Sequence, residues 1–193
     1  ALAGLFNAYN ILGAATAAEA LGIPLKTIAK GVAATTRIAG RAEKVDAGQS
    51  FPVVVDYAHT PDSLEALYGA FTPYHKICVL GNTGGGRDKW KRPVMGSIAE
   101  THCDTIILTN EDPYDEDPRA ILDEIAGGMH TKTPEIILDR REAIARAIQV
   151  AKATEHAAVL ITGKGTDPYI MGPNGTRTPW DDATVARELL KTN

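Results

Sequence analysis

No stretch of this sequence approaches the roughly 20 uninterrupted apolar residues that a membrane helix needs, and its Ala-rich start carries no basic n-region. Neither a membrane span nor a signal peptide is therefore expected. Clustered Lys and Arg are missing too. No block of five or more like charges occurs, and 20 basic against 24 acidic residues give a net charge of −4. A nucleic-acid surface would show a basic stripe, so that class of partner is not expected. An anionic small molecule stays open, because a local basic pocket can sit on an acidic protein. Cysteine is scarce. Cys78 and Cys103 both sit in stretches read as apolar. They are expected to be buried, reduced thiols rather than a disulfide or metal pair, with a cytoplasmic setting as the default. A Gly-Lys-Ser/Thr phosphate loop is absent, and no Ser or Cys is placed to complete a triad with His59, so a hydrolase finds little support.

What is present suits one globular domain with a short extra segment: 193 residues, 44% hydrophobic and 23% charged. Residues 1–6 begin mid-pattern and read as the inside of a larger protein. Residues 5–21 have helical Ala/Leu spacing closed by Gly22, and a second helix is expected over 25–34. Residues 35–48 read as a linker. From Phe51 onward, apolar runs alternate with helices. Strands are expected at 52–56, 76–81, 104–109, 136–138 and 157–162. Helices are expected at 62–70, 94–102, 118–126, 140–153 and 181–190. Near-continuous Val/Ile/Leu runs mean strands covered on both faces, which predicts an α/β fold: a Rossmann-like, doubly wound, mostly parallel sheet. Asn174-Gly175 signals a hairpin, hence one antiparallel strand at the sheet edge.

In such sheets ligands bind beyond the carboxyl ends of the strands, and polar clusters gather there. They are 56–61, the glycine-rich 81–92, the acidic 109–117, and Gly163-Lys164-Gly165-Thr166-Asp167. The glycine loop is either an anion cradle or a plain tight turn. Arg87 beside it suits bidentate carboxylate or phosphate binding. Glu111 and Asp112 come straight off a strand and could hold an ammonium group. Glu116 and Asp117 are expected to offset a helix dipole, and a divalent-metal cluster is the third reading of this acidic loop. His59 alone is more simply structural.

Several stretches resemble the Mur ligase family in its MurE branch, which works in peptidoglycan precursor synthesis. They are Gly4-Leu5-Phe6-Asn7-Ala8-Tyr9-Asn10, Gly40-Arg41-Ala42-Glu43, Asp56-Tyr57-Ala58-His59-Thr60-Pro61, Gly84-Gly85-Gly86-Arg87-Asp88-Lys89-Trp90-Lys91-Arg92-Pro93 and Gly163-Lys164-Gly165. The resemblance implies that residues 1–39 are the tail of a central ATP-binding domain, and that 40–193 form the amino-acid-binding carboxy-terminal domain. The phosphate loop and magnesium sites would lie in the remainder of the central domain. It implies an ATP-dependent ligase that extends a UDP-N-acetylmuramoyl-dipeptide with a diamino acid, cytoplasmic and monomeric. By position, Asn7 and Asn10 would lie near adenine. Arg41 and Asp56 would contact the nucleotide, with His59 close by. Arg87 would grip the amino acid's carboxylate, and Gly163 and Asp167 would hold its far end.

Two departures stand out. The diaminopimelate-adding enzymes carry Asp-Asn-Pro-Arg where this chain has Glu111-Asp112-Pro113-Tyr114, and Gly-Lys-Gly-His-Glu where it ends in Thr166-Asp167. An acidic pocket of Glu111, Asp112 and Asp167 would suit a side-chain ammonium such as that of lysine or ornithine. Related amide-forming enzymes (cyanophycin synthetase, the ligase-like subunit of a lipid II amidotransferase) share the domain. A non-catalytic nucleotide- or peptide-binding module is the alternative outside the enzyme class.

Overall fold

The computed structural model describes residues 4–192; of the segment expected to begin mid-pattern, residues 1–3 lie outside it. Two helices come first, α1 (Leu5–Ala20) and α2 (Leu25–Ala34), joined through Gly22. Of their residues only Asn7 is buried, and Leu5, Tyr9, Leu12 and Leu25 are exposed.

The six-stranded sheet comprises β1 (Glu43–Lys44), β2 (Val53–Asp56), β3 (His75–Leu80), β4 (Thr105–Leu108), β5 (Glu135–Ile136) and β6 (Ala157–Thr162). Their order is β1-β2-β6-β3-β4-β5. All neighbours run parallel except β1, which pairs antiparallel with β2 at Glu43↔Val55. The expected antiparallel edge strand therefore exists, but it lies in the segment read as a linker. The Asn174-Gly175 turn instead closes a separate two-stranded ribbon of β7 (Tyr169–Met171) and β8 (Arg177–Pro179).

Side chains alternate across the sheet, as a period of two requires. Val54, Cys78, Leu80, Ile106, Leu108 and Leu160 point to one face. There they pack on α3 (Pro61–Gly69), α4 (Lys91–His102) and α5 (Pro118–Ala126). Val53, Val55, Ile77, Val79, Ile107, Val159 and Ile161 point to the other, against α6 (Arg140–Lys152) and α7 (Asp182–Thr192). This is the doubly wound arrangement. The helix starts are chemically marked. Thr60 and Ser63 form a reciprocal capping box before α3, and Asp117 and Asp139 cap α5 and α6.

The cysteines depart from expectation. Cys78 in the middle of β3 and Cys103 just past α4 are joined as a disulfide, with Cα atoms 6.1 Å apart. Both are fully buried. Helix α4 runs back over the face of β3 that carries Cys78, and this brings the pair together; nothing in either local sequence encodes it.

Candidate active site

The loops after β2, β6, β3 and β4 leave adjacent strands in that order and meet at one edge of the sheet. The first side of the site is built on β2. Asp56 is its last residue, and its oxygens accept backbone N–H bonds from Ala42 (2.6 Å) and Ala58 (2.7 Å). Burial pushes this carboxyl's pKa up, against those two bonds and the Arg41 and His59 charges. Each oxygen retains a lone pair, so Asp56 can still accept from a ligand hydroxyl. The Arg41 guanidinium lies 4.6 Å above the Tyr57 ring centroid. His59 Nδ1 donates to the Tyr57 carbonyl at 2.8 Å, a role fixed because a carbonyl only accepts. Asn7 and Asn10 arrive from α1. All five residues expected to contact nucleotide (Asn7, Asn10, Arg41, Asp56, His59) line one cavity of about 370 Å³.

A second, larger cleft of about 700 Å³ adjoins it and shares Tyr57, His59 and Thr60 with it. It gathers Arg87, Glu111, Asp112, Tyr114, Gly163 and Asp167, together with Lys91. Pro113 alone among the expected amino-acid residues is not in the lining. Its carbonyl packs against Gly84, where a Cβ would have no room. Arg87 is exposed on the glycine loop, free to swing its planar fork over a carboxylate.

Glu111 is the most perturbed group here. It is 5% exposed, and its Oε2 has no hydrogen-bond partner among the described residues. Burial pushes its carboxyl up to about 7, against the Arg140, Lys164 and Lys91 charges and helped by Asp112. Gly163, at φ +105°, sits directly against this carboxylate; a side chain there would strike it. Asp112 differs from expectation. Both its oxygens lie 2.8 Å from Lys164 Nζ, and Oδ1 also accepts from the Met171 N–H. It is therefore consumed by the fold and is not a free ammonium ligand. Asp167 remains about two-fifths exposed, 3.6 Å from Lys164. Tyr57, whose phenol is pushed up by burial and then by Asp167, Glu111 and Asp112, stands among the three carboxylates. Tyr114 holds a left-handed φ of +52° and donates its N–H to the Met171 carbonyl.

Sequence reasoning missed Lys91, Lys164 and Tyr57, whose roles only tertiary contacts reveal. It also assigned Glu116 to the helix dipole, whereas this residue pairs with Arg92 at 3.1 Å and with Lys89 at 2.9 Å. Among the described residues no group of three or more His, Cys, Asp or Glu is placed to hold a cation.

Comparison with known proteins decides the family. The model of the "Mur ligase, glutamate ligase domain" matches residues 40–165. This chain belongs to that family. Among its Mur ligase relatives, the UDP-N-acetylmuramoyl-L-alanyl-D-glutamate–2,6-diaminopimelate ligase of Bacillus cereus is 42% identical over 98% of this chain and 38% of its own length. The protein of the same name from Syntrophomonas wolfei is 43% identical over 98% and 39%. A solved structure of such a ligase superimposes with a TM-score of 0.73 at 32% identity, covering 99% of this chain and 39% of that one. The chain thus spans well under half the length of the Mur ligases it matches.

Proposed function

We propose that this chain is the carboxy-terminal part of an ATP-dependent ligase that joins a diamino acid to UDP-N-acetylmuramoyl-L-alanyl-D-glutamate. One observation carries the reading: Arg87, Glu111, Gly163 and Asp167 share a single cleft, and that cleft abuts the cavity of Asp56, Arg41 and His59. The names of the relatives support the same reaction class. Residues 1–39 would be the tail of the central ATP-binding domain and 40–193 the amino-acid-binding domain. The enzyme would act in the cytoplasm as a monomer, with neither membrane nor nucleic acid as partner.

In the family's reaction ATP converts the dipeptide carboxylate to an acyl phosphate, and the incoming amine displaces phosphate. This chain's residues would contribute binding and orientation. Asn7, Asn10, Arg41, Asp56 and His59 fit an adenosine moiety, with Asp56 accepting from ribose. The family's phosphate loop and magnesium ligands would lie in the part of the protein this chain does not span. Arg87 would clamp the amino acid's α-carboxylate in two parallel hydrogen bonds. Glu111 and Asp167 would take the side-chain ammonium. Fixing both ends holds the α-amine in one place, and positioning of this kind is worth about 7 kcal/mol or more in favourable cases.

Two readings of the diamino acid differ by one charge. Tyr114 is neutral and Lys164 is occupied by Asp112, which favours a side chain ending in ammonium alone, such as lysine. The relatives' names favour diaminopimelate, whose second carboxylate would have to face Lys91. The test is ADP release by the full-length enzyme with ATP, UDP-N-acetylmuramoyl-L-alanyl-D-glutamate and each amino acid. Release that depends on a diamino acid is expected; release that is indifferent to it, or none, overturns the proposal.

A further inference from the structure

The loop bearing Arg87 is held in place by residues that the amino-acid site does not itself use. Arg92, on the first turn of α4, is completely buried yet charged. Its Nε donates to Asn82 Oδ1 at 3.3 Å and its Nη2 to the Thr83 carbonyl at 3.2 Å, so it grips the start of the glycine loop. Its Nη1 donates to Glu116 at 3.1 Å and to Glu124 at 2.8 Å. Burial disfavours this cation, but the two carboxylates outweigh it and raise its pKa. Glu116 in turn reaches back across the cleft's rim. It accepts the backbone N–H of Gly86, the residue immediately before Arg87, and pairs with Lys89, two residues after it. Its carboxyl is held at about 2, first by Arg92 and then by the Gly86 N–H. Nearer the sheet the same two loops meet at the Asp112 carbonyl, which accepts the Gly84 N–H at 2.7 Å and the Thr83 hydroxyl at 3.4 Å.

Gly85 and Gly86 both have φ near +75°, and neither of them nor Arg87 is buried. Packing does not fix this segment; the Glu116 carboxylate does. Glu116 lies five residues beyond Glu111, on the loop that supplies the opposite wall of the cleft. We propose that Glu116, anchored by Arg92, is a positioning residue that sets the distance between the carboxylate clamp at Arg87 and the ammonium end at Glu111, and so the length of amino acid admitted. This rests on the cleft being an amino-acid site. The residue acts through Arg87 and does not touch the substrate.

The test is steady-state kinetics of the full-length ligase. Glu116→Gln keeps the shape but gives up the charge that holds Arg92, Lys89 and the Gly86 N–H. It should raise KM for the preferred diamino acid about tenfold and leave KM for ATP within about twofold, because only the orientation of a remote clamp is lost. Selectivity should relax in the same variant, with the ratio of kcat/KM for diamino acids differing by one methylene (lysine against ornithine) moving toward unity. Glu124→Gln is the control. It removes the other carboxylate on Arg92 with no link to Gly86, so the melting temperature should fall while the amino-acid KM stays. If Glu116→Gln does not yield folded enzyme, Glu116→Asp, one methylene short, carries the same expectations. Equal shifts in both KM values, or an amino-acid KM unchanged in Glu116→Gln or Glu116→Asp, would overturn the proposal. A wild-type enzyme whose ADP release ignores diamino acids would instead defeat the functional reading beneath it.

Discussion

Replacing Glu111 by Gln should make the protein more stable at neutral pH, although the change touches the candidate active site. The folded state raises this carboxyl from its ordinary 4.5 to about 7, chiefly through burial. In the unfolded chain the group ionises as an ordinary glutamate does. Between those pH values the native state therefore binds more protons, and stability falls as pH rises through the window. The displacement corresponds to about 3 kcal/mol lost between pH 4.5 and 7, at 1.36 kcal/mol per tenfold change. Gln has the same shape and no charge, so it escapes the loss. Urea unfolding of the 193-residue chain from pH 4.5 to 8.5 would measure it. The Glu111→Gln curve should rise relative to wild type by about that amount up to pH 7 and run parallel above it. Parallel curves throughout would show that Glu111 ionises normally, and that the burial argument is wrong. The cost has a functional sense: a carboxyl with an unpartnered oxygen is ready to receive a cation, and active sites commonly keep such strain.

Other consequences follow from the buried pairs. Arg140 and Asp182 are both inaccessible and joined at 2.7 Å, with Arg140 also donating to the Thr162 carbonyl. Asp182→Ala should therefore cost about 3–5 kcal/mol in chemical denaturation, since it strands a buried cation; a loss under 1 kcal/mol would contradict the pairing. Glu100 accepts the backbone N–H groups of His130, Thr131 and Lys132 and is held at about 2 by them. Its contribution is present above about pH 4.5 and disappears as pH falls toward 2, so Glu100→Gln should flatten acid unfolding there; an unchanged acid limb would refute this. The Cys78–Cys103 bridge closes a separation of 25 residues, and its replacement by two alanines should lower stability by about 3 kcal/mol on the chain-entropy account. Thiol titration of the denatured, unreduced protein should find no free thiol.

The parallel strands were legible because burial on both faces leaves unbroken Val and Ile runs, as in Val53-Val54-Val55. The helices after them were legible from caps such as Asp139 and from periodicity. Helix α4 was expected from residue 94 but starts at Lys91, because its first turn is charged and packs on polar partners rather than on an apolar face. Strand β1 has only two residues, too few for any pattern. The convergence of Arg87, Glu111 and Asp167 followed from strand order, since loops at carboxyl ends of parallel strands must share an edge. What could not be read was which carboxylate remains free. Asp112 and Glu111 are neighbours of like chemistry, and only the reach of Lys164 from β6 decides that one is neutralised and the other left open. Glu116 was hidden for the same reason: its partner Arg92 lies 24 residues away.

The most direct measurement is a crystal structure of the full-length enzyme soaked with lysine and, separately, with meso-diaminopimelate. The account predicts an α-carboxylate paired with Arg87 and a side-chain ammonium within hydrogen-bond distance of Glu111 or Asp167. Either amino acid bound with its carboxylate away from Arg87, or bound outside this cleft, would contradict it.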